Sequence, residues 1–206
     1  MIILAIESAI SGGSISLLED NIEIANWIGT SSVSKAEDLL VSIDELLTSN
    51  KINRNEIGHI AVSAGPGSFT GIRIGLATAL GLKAGLGIEM SSESALKAMA
   101  FSQDEDTNIV AAIPMGRNAV CIQLFQRRAG TATSLDEPRT MPEDEFLSMI
   151  MNETDAAFVL HSSLSEKASN MKSVINFGAN IAYAVGILCR TNLGATTEPL
   201  FISKSF

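Results

Sequence analysis

One segment near residue 65 constrains the fold more than any other part of the chain. It reads SAGPGSFTGIRIG from Ser63 to Gly75, follows the apolar run Ile60–Val62, and leads into a stretch rich in Ala, Leu and Gly. This order predicts a strand, a tight glycine turn and a helix whose N-cap is Ser68 or Thr70. Such turns bind phosphates with backbone N–H groups, or let two backbones approach closely because glycine has no Cβ.

Known templates for phosphate binding and nucleophilic catalysis do not fit this segment. A Walker loop needs a Lys after the glycines, and none stands at that spacing. In the dinucleotide fingerprint Gly65 and Gly67 fit, but Thr70 takes the place of the third glycine. A nucleophile elbow around Ser68 needs a glycine where Pro66 stands. The segment is therefore either a structural helix start or part of an interface or anion site.

Charge and cysteine content narrow the class of protein. The 206 residues carry a net charge of −9, which argues against unaided binding of nucleic acid. Cys121 and Cys189 lie far apart and match no metal or redox motif, which favours a reducing compartment. The N-terminus lacks the basic region of a signal peptide, and Lys83 interrupts the longest apolar stretch. We expect a cytoplasmic protein without membrane association.

Hydrophobic periodicity predicts alternating strands and helices. The predicted strands are Ile2–Glu7, Ser14–Leu18, Ile22–Ile28, Ile57–Ser63, Ile109–Ile113 and Val120–Gln126. The predicted helices are Lys35–Ser49, Phe69–Leu86, Ser92–Phe101 and Ile175–Cys189. A polar run at Gln103–Asn108 divides an N-terminal lobe, 1–104, from a smaller C-terminal lobe, 105–206, and the last helix either stays there or returns to the first lobe. The fold class is α/β, with mixed sheets flanked by helices.

The second predicted helix carries a stripe of small residues. Gly67, Gly71, Gly75 and Ala79 recur every four residues. Each interior glycine costs a helix about 0.5–1 kcal/mol relative to alanine, so close packing is expected there. The stripe either faces the chain's own first helix or sheet, or forms a surface where helices of another protein dock. The first predicted helix carries an apolar stripe that consists of Leu39, Ile43, Leu46 and Leu47. This stripe likewise belongs either to the core or to an interface.

These segments resemble the TsaB (YeaZ) family. The resemblance rests on SAGPGSFTGIRIG, on the LAIES motif at Leu4–Ser8 and on the LLVSIDELL motif at Leu39–Leu47. Weaker similarity is present at Gly116–Val120 and Glu198–Phe201. It covers most of the chain and is strongest over residues 1–100.

The resemblance implies an actin-like two-lobed fold, as in sugar kinases and Hsp70 ATPases. Family members are accessory subunits of the bacterial machinery that makes threonylcarbamoyladenosine in tRNA. The resemblance implies that the chain binds the catalytic subunit TsaD through its first two helices, forming a heterodimer, and that the ATPase TsaE joins them. Without TsaD, self-association through the same helices is expected. Contact with tRNA is expected only as part of the complex.

The resemblance also implies which residues meet the partner. The expected interface is Leu39, Ile43, Leu46, Leu47, Gly67, Phe69, Gly71, Ile72, Arg73, Gly75, Leu76 and Ala79. Within this set, Arg73 either anchors the rim of the interface through a carboxylate, forms an internal salt bridge or remains a solvated charge.

The metal site of the catalytic relative has no counterpart in this sequence. That site uses an H-x-x-x-H pair on the first helix, where this chain has Lys35 and Leu39. The two histidines, His59 and His161, lie elsewhere, and His59 is expected to be a solvated or hydrogen-bonded structural residue. We therefore expect no metal, no cofactor and no catalytic residue.

A vestigial nucleotide site is expected in the first hairpin. The resemblance to actin-like ATPases implies this for Glu7, Ser8, Ser11 and Gly12, although most family members have Asp where this chain has Glu7. A second-lobe phosphate motif would need a further Asp, which the segment Ala111–Gly116 does not contain, so phosphoryl transfer would lack an acid to hold Mg²⁺. The alternatives to an accessory subunit are an actin-like ATP-dependent phosphotransferase and a glycoprotease-like hydrolase. Catalytic activity of the isolated chain would distinguish both alternatives from the hypothesis of an accessory subunit.

Overall fold

The computed structural model describes residues 1–10, 12–29, 38–116, 118–152, 156–169, 174–178, 180–196 and 198–199. These residues form two compact units. The first unit contains Met1–Ala95 and the described residues from Asn180 onward, and the second contains the described residues between Leu96 and Ala179. The units differ in their bounds from lobes 1–104 and 105–206, because a helix beginning at Ile181 packs on the first sheet.

The elements alternate along the chain as the sequence predicts for an α/β fold. The strands are β1 Ile2–Glu7, β2 Ser14–Glu19, β3 Ile22–Ile28, β4 Ile57–Ser63, β5 Glu89–Glu93, β6 Asn108–Pro114, β7 Ala119–Arg128, β8 Thr131–Ser134, β9 Arg139–Pro142, β10 Ala157–His161 and β11 Val174–Gly178. The helices are α1 Leu39–Ser49, α2 Phe69–Leu86, α3 Ala95–Phe101, α4 Glu143–Asn152, α5 Ser162–Ser165 and α6 Ile181–Thr191.

The first unit is built on a mixed five-stranded sheet of order β3-β2-β1-β4-β5. Strands β1 to β3 pair antiparallel, whereas β1, β4 and β5 run parallel. Helices α1 and α2 pack on one face, where Ile6, Ile43 and Ala79 join one buried cluster. Because side chains alternate across a strand, Ala5 and Leu18 point to the opposite face, where they contact α6 at Gly186.

Local signals explain several element bounds. Asp20 and Asn21 both have positive φ, as the tight hairpin between β2 and β3 requires. Helix α2 ends at Leu86 and is followed by the C-cap Gly87, whose left-handed conformation at φ +67° is easily adopted without a side chain. The predicted bounds Ile2–Glu7, Ile22–Ile28, Ile57–Ser63 and Phe69–Leu86 are confirmed.

Two helices begin later in the structure than the sequence predicted. Ser92 belongs to β5, which pairs parallel with β4, and α3 begins only at Ala95. The prediction missed β5 because a short strand rich in serine and glutamate has little β-propensity. The second of these is the predicted helix Ile175–Cys189. Its first part belongs to strand β11, which ends at Gly178 with a φ of +87°, and helix α6 starts only at Ile181. The predicted start of the first helix at Lys35 lies outside the described residues.

The second unit is built on a sheet of order β11-β10-β6-β7-β8, with β9 paired to β7. Its core contains Phe146 of α4 and Phe158 of β10, whose rings meet edge to face with centroids 6.3 Å apart. Strands β6 and β7 were predicted from the sequence, although each is longer than its predicted bounds. Strands β8 to β10 and helices α4 and α5 were not predicted. Within the described part of the chain, every helix is too short or too polar to cross a membrane.

Candidate functional site

The glycine-rich segment joins β4 to α2 and starts the helix. At the end of β4 the hydroxyl oxygen of Ser63 accepts a hydrogen bond from the Gly65 N–H at 3.2 Å. Ser68 is the N-cap of α2, because its Oγ accepts from the Gly71 N–H at 3.3 Å. This confirms Ser68 rather than Thr70 as the cap.

The small-residue stripe of α2 packs against the segment that follows β1. A Cβ on Gly71 would lie 2.2 Å from the Ser8 carbonyl oxygen, and one on Gly75 would lie 2.4 Å from Ser8 Oγ. A Cβ on Gly67 would meet the Ala9 carbonyl oxygen at 2.5 Å. The fourth member, Ala79, is fully buried in the core. Of the two alternatives for this stripe, the structure favours internal packing.

The other residues expected at the partner interface divide into buried and exposed groups. The buried group packs in the core of the first unit and consists of Leu39, Ile43, Leu47 and Ile72. Leu46 and Leu76 are half-buried against the same core. Phe69 and Arg73 are exposed, and the Arg73 guanidinium carbon lies 3.7 Å from the centroid of the Phe69 ring. The surface of α2 therefore offers an aromatic–cation pair one turn into the helix.

An apolar groove of about 280 Å³ lies between α1 and the C-terminal half of α2. Its apolar lining includes Ile43, Leu47, Leu82 and Leu86. Two glycines in the lining, Gly81 and Gly85, have nothing within 4 Å of an ideal Cβ.

Three large aliphatic side chains of the same two helices are exposed to solvent. They are Leu40, Val41 and Leu80, exposed by 57%, 56% and 56%. Leu40 itself lines the groove, together with the charged pair Asp44 and Arg54, whose Oδ1 and Nη2 lie 3.7 Å apart. Sequence reasoning missed this surface, although the spacing of Gly81 and Gly85 in α2 was a signal. We use the name α1–α2 face for the exposed residues Leu40, Val41, Leu80, Gly81 and Gly85 of these two helices.

The residues expected at a vestigial nucleotide site are engaged with their own chain. Glu7 is buried, and its Oε1 accepts hydrogen bonds from the backbone N–H groups of Ala9 at 2.5 Å and Ile10 at 2.8 Å. Burial raises the pKa of Glu7 from 4.5 to about 7, although both hydrogen bonds act to lower it. Ser8 Oγ donates to the Gly71 carbonyl at 2.9 Å. Gly12 has a φ of +90° in the following turn, and Ser11 lies outside the described residues.

A second buried acid stands near Glu7 in the sheet, and sequence reasoning missed it. Glu93 ends β5 and pairs in register with Ser63, at the end of β4. Ser63 follows Val62, which pairs with Ile6, so the ends of β1, β4 and β5 meet at one edge. Glu93 was missed because β5 was not predicted. Among the described residues, no group of three His, Cys, Asp or Glu side chains is arranged to hold a metal ion.

Both histidines make hydrogen bonds inside the protein. His59 is buried with its Nε2 2.9 Å from Ser91 Oγ, and burial lowers its pKa. His161 caps α5 through Nδ1, and burial lowers its pKa to about 4. Of the two alternatives predicted for His59, a solvated or a hydrogen-bonded residue, the structure shows the second.

A family model described as TsaD: tRNA N6-adenosine threonylcarbamoyltransferase matches residues 31–183. Curated relatives named tRNA threonylcarbamoyladenosine biosynthesis protein TsaB share 39% identity over 40% of this chain in Haemophilus influenzae and 32% over 62% in Escherichia coli. The chain belongs to this family, as a TsaB (YeaZ) member. The aligned parts span 36% and 56% of these two TsaB relatives.

Solved structures show that this TsaB-family chain has the YeaZ fold. A Pseudomonas aeruginosa protein described as similar to peptidase YeaZ superposes with a TM-score of 0.71 at 17% identity, covering 98% of this chain and 99% of that chain. YeaZ from Pseudomonas aeruginosa gives 0.69 at 17% identity and covers 93% of each. The ethanolamine utilization protein EutJ from Carboxydothermus hydrogenoformans gives 0.51 at 13%, covering 91% of this chain and 89% of that chain. The expected actin-like α/β fold is confirmed.

Proposed function

We propose that this TsaB-family chain is a non-catalytic subunit required for threonylcarbamoyladenosine modification of tRNA. In this role it binds the catalytic subunit TsaD and activates it together with the ATPase TsaE. The names of the TsaB relatives and of the matching family model support the pathway. The observation that carries the role of a binding subunit is the α1–α2 face.

The glycines of this face favour close approach by another helix. Gly81 and Gly85 lie inside α2, where each costs about 0.5–1 kcal/mol relative to alanine. Apart from the adjoining residues and backbone of α2 itself, nothing in the described chain lies within 4 Å of an ideal Cβ at either position, so packing against other elements does not require them. Small residues one turn apart let the backbones of two helices come together. A helix of TsaD lying along α2 would use this space.

The exposed aliphatic side chains supply the burial that such a contact needs. Covering a large aliphatic side chain contributes about 1.5–3 kcal/mol, and Leu40, Val41 and Leu80 are each more than half exposed. Phe69 and Arg73 are exposed nearer the start of α2, and we include them in the proposed partner surface. Aromatic residues and arginine are the types that contribute most at interfaces. Before TsaD binds, we expect two copies of the chain to pair through the same face.

The chemistry of the described residues supports a non-catalytic role. The Glu7 carboxylate already accepts two backbone hydrogen bonds. Both histidines are buried, and each makes a hydrogen bond within the chain. An active base or metal ligand has to be available to a substrate or an ion. We propose that the cell keeps this subunit in the cytoplasm, in contact with tRNA only as part of the complex.

Reconstitution tests the proposal. The purified chain alone should neither hydrolyse ATP nor modify tRNA, whereas its addition to TsaD and TsaE with tRNA and the threonylcarbamoyl donor should be required for modification. Turnover of ATP by the isolated chain would overturn the accessory role in favour of a phosphotransferase. Full modification by TsaD and TsaE without the chain would overturn the requirement.

A further inference from the structure

The buried carboxylate of Glu7 fixes the backbone that follows β1. Its Oε1 accepts from the N–H groups of both Ala9 and Ile10, at 2.5 and 2.8 Å. Buried N–H groups need partners, and the carboxylate supplies one acceptor for two of them. The turn continues with a hydrogen bond from the Gly13 N–H to the Ile10 carbonyl at 3.0 Å. The conformation of residues 8–10 therefore depends on the Glu7 side chain.

The N-terminal half of α2 packs on residues 8 and 9, which we call the seat of α2. The Ala9 carbonyl accepts from the Ser68 N–H at 2.6 Å, and Ser8 Oγ donates to the Gly71 carbonyl at 2.9 Å. The backbone of Ser8 and Ala9 fills the space beside Gly71, and Ser8 Oγ fills the space beside Gly75. Close contact of this kind leaves α2 no freedom to slide along residues 8 and 9.

We propose that Glu7 is a positioning residue for α2, acting through residues 8–10 on the half of the helix that carries Phe69 and Arg73. Loss of the carboxylate frees the Ala9 and Ile10 N–H groups, residues 8–10 rearrange, and the first turns of α2 lose their seat. The acid at the end of β1 thus controls a surface on the outer side of α2 that it does not touch. Its effect on binding rests on the proposed function, whereas its effect on α2 does not.

Amide hydrogen exchange measured by mass spectrometry on the full chain tests this inference. In Glu7→Ala we expect exchange over residues 69–76 to be at least about tenfold faster than in the wild type, with α4 and β10 of the second unit unchanged. Glu7→Gln should restore most of the protection, because an amide oxygen still accepts hydrogen bonds. Leu18→Ala is the matched control, since it opens the core on the α6 side of the same sheet without touching residues 8–10.

The pattern of exchange decides between positioning and general destabilisation. Wild-type protection of α2 in Glu7→Ala, or loosening spread over the first unit as in Leu18→Ala, would overturn the inference. If Glu7→Ala does not fold, Ser8→Ala decides, because it removes the hydroxyl that bonds to Gly71 and fills the space beside Gly75, and it leaves the Glu7 carboxylate in place. Selective loosening of residues 69–76 in Ser8→Ala supports the seat, and unchanged exchange overturns it.

Binding to purified TsaD separates this inference from the proposed function. If the wild type binds TsaD, we expect Glu7→Ala to bind at least about tenfold more weakly and Glu7→Gln to bind within about threefold of the wild type. Unchanged affinity in a Glu7→Ala variant with a loosened α2 would overturn control of the partner surface. If no variant and no wild type binds TsaD while α2 loosens as expected, the proposed function fails and the positioning of α2 stands.

Discussion

Ser8 and Gly71 contact each other through two separate groups. Ser8 Oγ donates to the Gly71 carbonyl at 2.9 Å, and the Ser8 carbonyl oxygen lies 2.2 Å from the position of a Cβ on Gly71. A β-carbon cannot come this close to a backbone oxygen without movement of one of the two segments. The glycine stripe of α2 is therefore required by the fold of the first unit.

Gly71→Ala should destabilise the protein by about 1–3 kcal/mol, because overpacking against backbone outweighs the better helix propensity of alanine. The measurement is the free energy of unfolding in urea. Gly85→Ala is the matched control in the same helix, since its Cβ meets nothing within 4 Å. That change should stabilise the protein by about 0.5–1 kcal/mol. Equal effects at the two positions would contradict the distinction between the stripe and the α1–α2 face.

The double change Gly81→Ala and Gly85→Ala should weaken binding to TsaD while it stabilises the isolated chain. Two added methyl groups keep a partner helix from approaching α2 closely, and we expect a loss of affinity of about tenfold or more. Calorimetric titration with TsaD and urea unfolding measure the two effects. Gly87 lies just beyond the helix and is not a suitable control, because its positive φ makes alanine strained there. Unchanged affinity would place the contact elsewhere.

Local structure could be predicted from the sequence where neighbouring residues decide it. The Asp20-Asn21 turn, a cap at Ser68 or Thr70 and the end of α2 before Gly87 all depend on the conformational preferences of a few adjacent residues. Strand β5 could not be predicted in this way, because Ser91 and Ser92 are ordered by pairing with β4 rather than by propensity.

The candidate site was harder to predict, because the spacing of small residues shows that they share one side of a helix but not what that side faces. Gly71 and Gly75 carried the correct signal of close contact, but the sequence could not show that Ser8, 63 residues away from Gly71, fills the space. Gly81 and Gly85 carry the same spacing on another side of α2 and meet nothing. Only the packing of the unit distinguishes the two pairs.

The stability of the protein should depend on pH through Glu7. Its pKa is raised from 4.5 to about 7, so the folded state binds the proton more tightly than the unfolded state does. The resulting stabilisation is fully present below about pH 4.5 and is lost as the pH rises through about 7. At about 1.4 kcal/mol for each pKa unit, the loss amounts to about 3 kcal/mol.

Comparison of the wild type with Glu7→Gln isolates this contribution. The variant cannot ionise at that position, so the wild type should lose about 3 kcal/mol relative to Glu7→Gln between pH 4.5 and pH 8. Urea unfolding at a series of pH values measures the difference, and all other titrating groups are common to both proteins. A difference that does not change with pH would show that Glu7 keeps an ordinary pKa.

Leu80→Asp should disrupt the partner surface without disturbing the fold. Leu80 is 56% exposed on α2, so an aspartate there remains solvated in the monomer, whose stability should fall by no more than about 1 kcal/mol. In the complex the charge would be buried against apolar side chains, and we expect at least about a hundredfold loss of affinity for TsaD. Leu135→Asp is the matched control, because Leu135 is 49% exposed in the second unit. Titration of both variants against TsaD measures the effect, and an equal loss in the two, or none in Leu80→Asp, would remove α2 from the interface.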